Sequence, residues 1–195
     1  MQEPGETTVH QNKTFTDVNY AGKRLQKREF IKCEFIRCDF SKSNLSHNDF
    51  VDCEFINCNF SLTQVSGTGF SNVTFTDCKI LGIDFSSCNK FMFSFCFKGC
   101  ILDYSIFYGA KLRKTNFINC SLKEVDFEAA DLSAAVFNHC DLSATSFNRT
   151  ILEKTDFRNA SNFSFDPAQN NVKKARFSSA NLSGLLGHFK LDIEN

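Results

Sequence analysis

An apolar residue, most often phenylalanine, recurs every fifth position through most of this 195-residue chain. The first run of the register reads Phe15, Tyr20, Leu25, Phe30, Phe35, Phe40, Leu45, Phe50, Phe55, Phe60, Val65, Phe70, Phe75, Ile80, Phe85. A second run is displaced by two residues and goes from Phe97 and Leu102 through Phe127 and Leu132 to Leu152 and Phe157. A period of five matches neither a helix nor a flat strand. It implies one short unit stacked on copies of itself, a solenoid whose interior is occupied by the repeat. Function must then be sought on the outer surface and at the ends.

Two residues before each centre the chain places a small side chain, as in Cys33, Cys38, Ser43, Cys53 and Thr63, and later Ala110, Thr115, Ala130 and Thr150. The residue between the pair is often Asp, Asn or Glu. Stretches such as Ala-Asp-Leu-Ser-Ala (130–134) and Cys-Asp-Leu-Ser-Ala (140–144) resemble the pentapeptide-repeat motif. The resemblance covers residues 14–183 and implies an all-β chain, a right-handed quadrilateral β-helix with one pentapeptide per side and four per coil. Residues twenty apart should then stack about 4.8 Å from coil to coil. The columns bear that test: Phe15, Phe35, Phe55 and Phe75 align, as do Phe97, Phe117, Phe137, Phe157 and Phe177, while Leu102, Leu122 and Leu142 share another side.

Lys and Arg number 22, as do Asp and Glu, so no bulk field draws the chain to nucleic acid or an anionic membrane. No apolar run is long enough for a membrane span, and the first residues lack a signal-peptide core, so a cytoplasmic protein is expected. Nine of the ten cysteines occupy the small inward position and only Cys96 departs from it. Cys38, Cys58 and Cys78 should stack, as should Cys100, Cys120 and Cys140. Buried reduced thiols are expected rather than disulfides or a metal cage. His10, His47, His139 and His188 show no ligand spacing, and no phosphate loop, nucleophile elbow or CxxC motif is present. The expectation is a non-enzyme with no catalytic, cofactor or metal site, and with no direct binding to nucleic acid.

Along the chain, residues 1–13 are polar and expected to be loose, and the β-helix is assigned to 14–183. The register breaks at 86–96, where Phe85 to Phe97 spans twelve residues, two repeats plus two. Either a corner loop absorbs the extra pair, letting the Phe15–Phe75 column continue into Phe97, or a kink sets an angle between two rods. Residues 162–174 interrupt the coils and hold Pro167, after which Ala175–Ser179 and Ala180–Gly184 resume the repeat. The last segment, 184–195, is expected to cap the open end, with a helical conformation. Its Leu185, Leu186, Phe189, Leu191 and Ile193 serve either a simple intramolecular cap or a cap that also joins two chains into a homodimer.

Two stretches narrow the resemblance. Cys78-Lys-Ile-Leu-Gly with Cys100-Ile-Leu-Asp-Tyr-Ser-Ile-Phe-Tyr-Gly, and the ending from Asn171-Val-Lys-Lys to Leu191-Asp-Ile-Glu, resemble the albicidin-resistance branch of the family. Microcin-immunity and quinolone-resistance proteins share that coil. The resemblance implies a dimeric rod that mimics duplex DNA and binds DNA gyrase or topoisomerase IV, conferring resistance or immunity to topoisomerase poisons. This chain departs from the acidic pattern of those mimics by its charge balance. Two faces are candidates for an acidic stripe: one carries Asp17, Glu34, Glu54 and Asp77, the other Asp103, Glu124 and Asp141. The alternative is an interaction scaffold whose partner is not a topoisomerase.

Overall fold

The computed structural model describes residues 7–189 and 191, and in it the chain winds as a right-handed quadrilateral β-helix whose strands pair in parallel. Each pentapeptide forms one side, so partners lie twenty apart, as in Glu34↔Glu54, Phe35↔Phe55 and Ile36↔Ile56. The four walls are named here after Phe15, Tyr20, Leu25 and Phe30, four successive centres of the repeat. Short strands build the Phe15 and Phe30 walls in the first coils, for example Glu34–Ile36 and Arg28–Ile31. Single parallel bridges, such as Asn19↔Asp39 and Arg24↔Asn44, hold the other two.

The sequence turns a corner after nearly every centre because the residue two positions on adopts a left-handed conformation, as at Asp17, Lys32, Arg37 and Lys42. Such a conformation costs a non-glycine residue about 1–2 kcal/mol. Each corner recovers a hydrogen bond to the next coil, such as Asp17 N to Ile36 O at 2.9 Å and Arg37 N to Ile56 O at 2.9 Å.

Inside, the aromatic columns stack nearly parallel, with Phe35 and Phe55 at 4.7 Å and 12°, while neighbouring walls meet edge to face, as Phe35 and Phe40 do at 5.6 Å. The small inward residues do two jobs. They leave room for the rings, and their hydroxyl or thiol donates to a backbone carbonyl of the preceding coil: Thr63 to Phe40 O at 2.7 Å, Cys38 to Phe15 O at 3.3 Å.

At 86–96 the rod is continuous. Thr74, Phe75 and Thr76 pair with Cys96, Phe97 and Lys98, and Phe75 stacks on Phe97 at 5.4 Å and 10°, much as Phe97 stacks on Phe117 at 5.3 Å and 9°. The extra pair is absorbed at a corner where Lys90 and Phe91 point outward, Phe91 being 99% exposed. A kink between two rods is thereby overturned, because parallel pairing and ring stacking cross the insertion without a tilt.

Both ends differ from expectation. The first coil begins in the segment expected to be loose, since Thr8–Gln11 pairs with Arg28–Ile31. The reason is His10, which takes the centre position one repeat before Phe15 and stacks on Phe30 at 4.9 Å. Burial, then Arg28 and Lys13, lower its pKa, and its Nε2 lies 3.0 Å from the Arg28 guanidinium. Near the other end, 162–174 does not interrupt the winding, because Ile151↔Asn171 and Asp156↔Arg176 keep the twenty-residue spacing. Phe163 and Phe165 turn inward there and close the tube against Phe157 and Phe177. Ala180–Gly184, which resembles another repeat, already belongs to the cap, a 3-10 helix over Ser179–Leu185. Asn181 fixes it by donating to Phe157 O at 2.9 Å and Ala160 O at 3.1 Å, carbonyls that a further coil would otherwise take.

Candidate partner-binding surface

The outward positions carry whatever recognises a partner, and they too form columns with a twenty-residue spacing. On the Phe15 wall, Glu34 and Glu54 are direct neighbours on paired strands, and Asp17 and Asp77 occupy the adjacent corner column. Arg37 stands in that same column and grips Asp17 through two 2.7 Å hydrogen bonds, Nε to Oδ1 and Nη2 to Oδ2. Its guanidinium holds the Asp17 carboxyl below the usual range. The Phe15 wall therefore brings its four carboxylates onto one side and sets a cation among them.

The Tyr20 wall gathers Asp103, Glu124 and Asp141. Asp103 accepts from Ser121 Oγ at 2.6 Å and from Lys123 N at 3.0 Å, while Lys123 Nζ lies 3.3 Å from Asp141. Burial pushes the Asp141 carboxyl up, but hydrogen bonds from Ser143, Asn162 and Lys123 outweigh it and bring it down to about 2. Arg37 and Lys123 are the residues that reading carboxylates alone misses. The twenty-residue column that aligned the phenylalanines pairs Arg37 with Asp17 equally well.

At the C-terminal end, Leu185 packs against the core and Leu186 is half-buried. Phe189 and Leu191 are 59% and 57% exposed, and Leu182 joins them on the outside at 43%. Ile193 lies outside the described residues. Leu185 thus serves the intramolecular cap, and the outward apolar surface comes from the residues around it. Gly187–Phe189 forms a further short 3-10 helix after the one over Ser179–Leu185.

Cys38, Cys58, Cys78, Cys100, Cys120 and Cys140 form one continuous column behind the Tyr20 wall, each donating to a backbone carbonyl. All ten cysteines are free, and among the described residues no three His, Cys, Asp or Glu side chains are grouped to hold a metal ion. Burial pushes the Cys53 thiol up to about 12 and raises Cys88 as well, which suppresses the reactive thiolate. Brief alkylation of the native protein should therefore label Cys96, the one cysteine that is only half-buried, and alkylation after denaturation should label all ten. Rapid native labelling at Cys58 or Cys100 would contradict the packing.

A sequence profile of the pentapeptide repeat region matches residues 28–107 and 90–161. The chain belongs to the pentapeptide-repeat family. No curated protein matches this pentapeptide-repeat protein in sequence. Among solved structures it is similar to a trypsin-treated variant of QnrB1, a plasmid-mediated fluoroquinolone resistance protein, with a TM-score of 0.65 at 15% identity over 93% of this chain and 100% of that one. A second trypsin-treated QnrB1 variant gives a TM-score of 0.52 at 16% identity over 97% of this chain and 100% of that one. At these identities the likeness shows the fold. Among the described residues no helix is long and apolar enough to cross a membrane.

Proposed function

We propose that this pentapeptide-repeat chain is a non-enzymatic, cytoplasmic rod that binds a type II topoisomerase, DNA gyrase or topoisomerase IV, and shields it from poisons that trap its cleaved complex. The observation that carries the proposal is the end-to-end correspondence with QnrB1, a fluoroquinolone resistance protein, at a TM-score of 0.65 over all of that chain. The physical basis is competition for a basic surface built to hold duplex DNA, with carboxylates on a rod standing in for phosphates. Arg37 and Lys123 interrupt the two acidic faces, so mimicry here acts through short acidic segments. The same two cations favour the alternative, a scaffold for a partner other than a topoisomerase. Purified gyrase and topoisomerase IV, each immobilised and exposed to the protein in an interferometry titration, separate the two. Micromolar or tighter binding to either enzyme is expected, and absence of binding to both would leave the scaffold.

The cap also supports a homodimer, joined end to end about a two-fold axis through Leu186, Phe189 and Leu191, with Leu185 and Ile193 in the same segment. A two-fold contact closes without growing into a fibre. Leu186→Asp combined with Phe189→Asp is expected to sediment as a monomer with its β-sheet signal intact, because the coils beneath are sealed by Phe163, Phe165 and Leu185. A wild type that already sediments as a monomer at micromolar concentration would reduce the segment to a private cap.

A further inference from the structure

One coil departs from the outward pattern on two adjoining walls. On the Tyr20 wall the column that holds Asn19, Asp39, Asn59, Ser121 and Asp141 holds Ile101 in this coil. On the Leu25 wall the column of Arg24, Asn44, Asp126 and Ser146 holds Ile106, which sits between Asp84 and Asp126. Tyr104, at the corner joining the two walls, is 58% exposed, and Tyr108 beyond it is 48% exposed. Along the same corner the chain places Leu62, Gly82, Tyr104 and Glu124 in successive coils, linked by Leu62 N to Leu81 O, Gly82 N to Asp103 O and Tyr104 N to Lys123 O. Gly82 has a positive φ of 64° and carries no side chain, and a Cβ there would lie 3.0 Å from the Leu62 methyl. Beside it lies a surface notch of about 410 Å³, lined by Leu62 and Gly82 together with Gln64, Ser66, Asp84 and Ser87. Tyr104 stands in the next coil of that corner.

Carboxylates surround this patch. Asp84, Asp126 and Glu128 lie on the Leu25 wall, where Arg149 pairs with Glu128, and Asp103 and Glu124 lie on the Tyr20 wall against Lys79 and Lys123, while Lys90 and Lys111 adjoin Tyr108. Leaving two tyrosines and two isoleucines in water has no use for the core, which is already filled by Leu102 and Phe107 beneath them. Aromatic and aliphatic anchors within a charged rim are the composition of a protein-docking surface. On these two walls the rim sets five carboxylates against Lys79, Lys123 and Arg149, so its complement is a protein surface with apolar side chains inside a ring in which Lys and Arg predominate.

We infer that the rod docks its partner through this mid-rod corner, with Leu62, Ile101, Tyr104, Ile106 and Tyr108 as anchors and the carboxylates as the steering rim. The inference rests on the topoisomerase proposal for the partner's identity and adds the residues that meet it. Because the anchors are exposed, replacing them leaves the coils intact. The test compares wild type with a variant carrying Ile101→Thr, Tyr104→Asn, Ile106→Thr and Tyr108→Ser, Asn being chosen because it tolerates the left-handed backbone at Tyr104. Ile151→Thr, a similarly exposed isoleucine on the opposite, Phe30 wall, is the control. Binding to immobilised gyrase and topoisomerase IV is measured for all three, and a photo-crosslinking phenylalanine derivative at position 104 reports contact. Expected are a loss of affinity of about ten-fold or more for the fourfold variant, little change for the control, and a crosslink to the enzyme. Equal binding by the fourfold variant and wild type, or no crosslink, would overturn the docking corner while leaving the topoisomerase proposal standing. Failure of wild type to bind either enzyme would overturn both.

Discussion

Phe127→Asp is expected to unfold the middle of the rod at neutral pH. Phe127 is fully buried, stacked between Phe107 at 5.3 Å and Phe147 at 5.6 Å, and meets Phe117 and Phe137 edge to face. Truncating such a ring alone costs about 3–5 kcal/mol, and an unpaired carboxylate in its place costs several more. Each coil contacts only its neighbours, so the damage spreads through the adjoining coils by loss of their shared interfaces. Phe127→Leu is the control and should cost roughly 1 kcal/mol, since Leu25 and Leu45 fill the same wall in the first coils. Thermal denaturation followed by far-ultraviolet circular dichroism checks both. A Phe127→Asp protein that melts like wild type would mean that the register is wrong.

Asn48→Asp is the second large effect, and it depends on pH. Asn48 fills a small inward position with no solvent exposure. Its Nδ2 donates to Leu25 O at 3.0 Å and Leu45 O at 2.8 Å, and its Oδ1 accepts from Arg28 N at 2.8 Å. The aspartate is isosteric but turns two donated bonds into a carboxylate facing two carbonyls, at a cost of about 3–5 kcal/mol at pH 7. Those carbonyls and burial raise the folded-state pKa of the new carboxyl above its unfolded value of about 3.9. The folded state then binds the proton more tightly than the unfolded one, so the deficit relative to wild type shrinks as pH falls through the folded pKa. Asn48→Thr keeps one donor, as Thr68 does one coil later toward Leu45 O, and should be milder at every pH. A deficit for Asn48→Asp that is unchanged between neutral and acidic pH would show that position 48 is not buried among those carbonyls.

The interior was legible in the sequence because it obeys one constraint, an apolar centre at every fifth position, repeated without exception from Phe30 to Phe85. The continuation of the Phe75 column into Phe97 could be read from the same spacing. What escaped were places where another residue satisfies that constraint. His10 fills a centre as a planar ring, so a search for apolar centres starts one repeat late. Leu182 sits where a centre belongs, yet Asn181 takes the last coil's carbonyls and throws Leu182 outward. The outer surface was less legible because its charges are decided by pairing across coils. Asp17 counts toward an acidic face until Arg37, twenty residues on, is placed beside it. Ile101, Tyr104, Ile106 and Tyr108 were legible along the chain only as part of the stretch that narrows the resemblance, and they become a patch only when two walls are folded to a common corner.

The most direct test of the functional account is a supercoiling reaction with purified DNA gyrase, relaxed plasmid and a fluoroquinolone, titrated with the folded protein. The account predicts that micromolar protein restores supercoiled product and lowers the amount of linear, drug-trapped DNA, and that the fourfold Ile101, Tyr104, Ile106 and Tyr108 variant does neither. Drug inhibition that persists unchanged at every concentration of folded wild type, with gyrase and with topoisomerase IV alike, would contradict it.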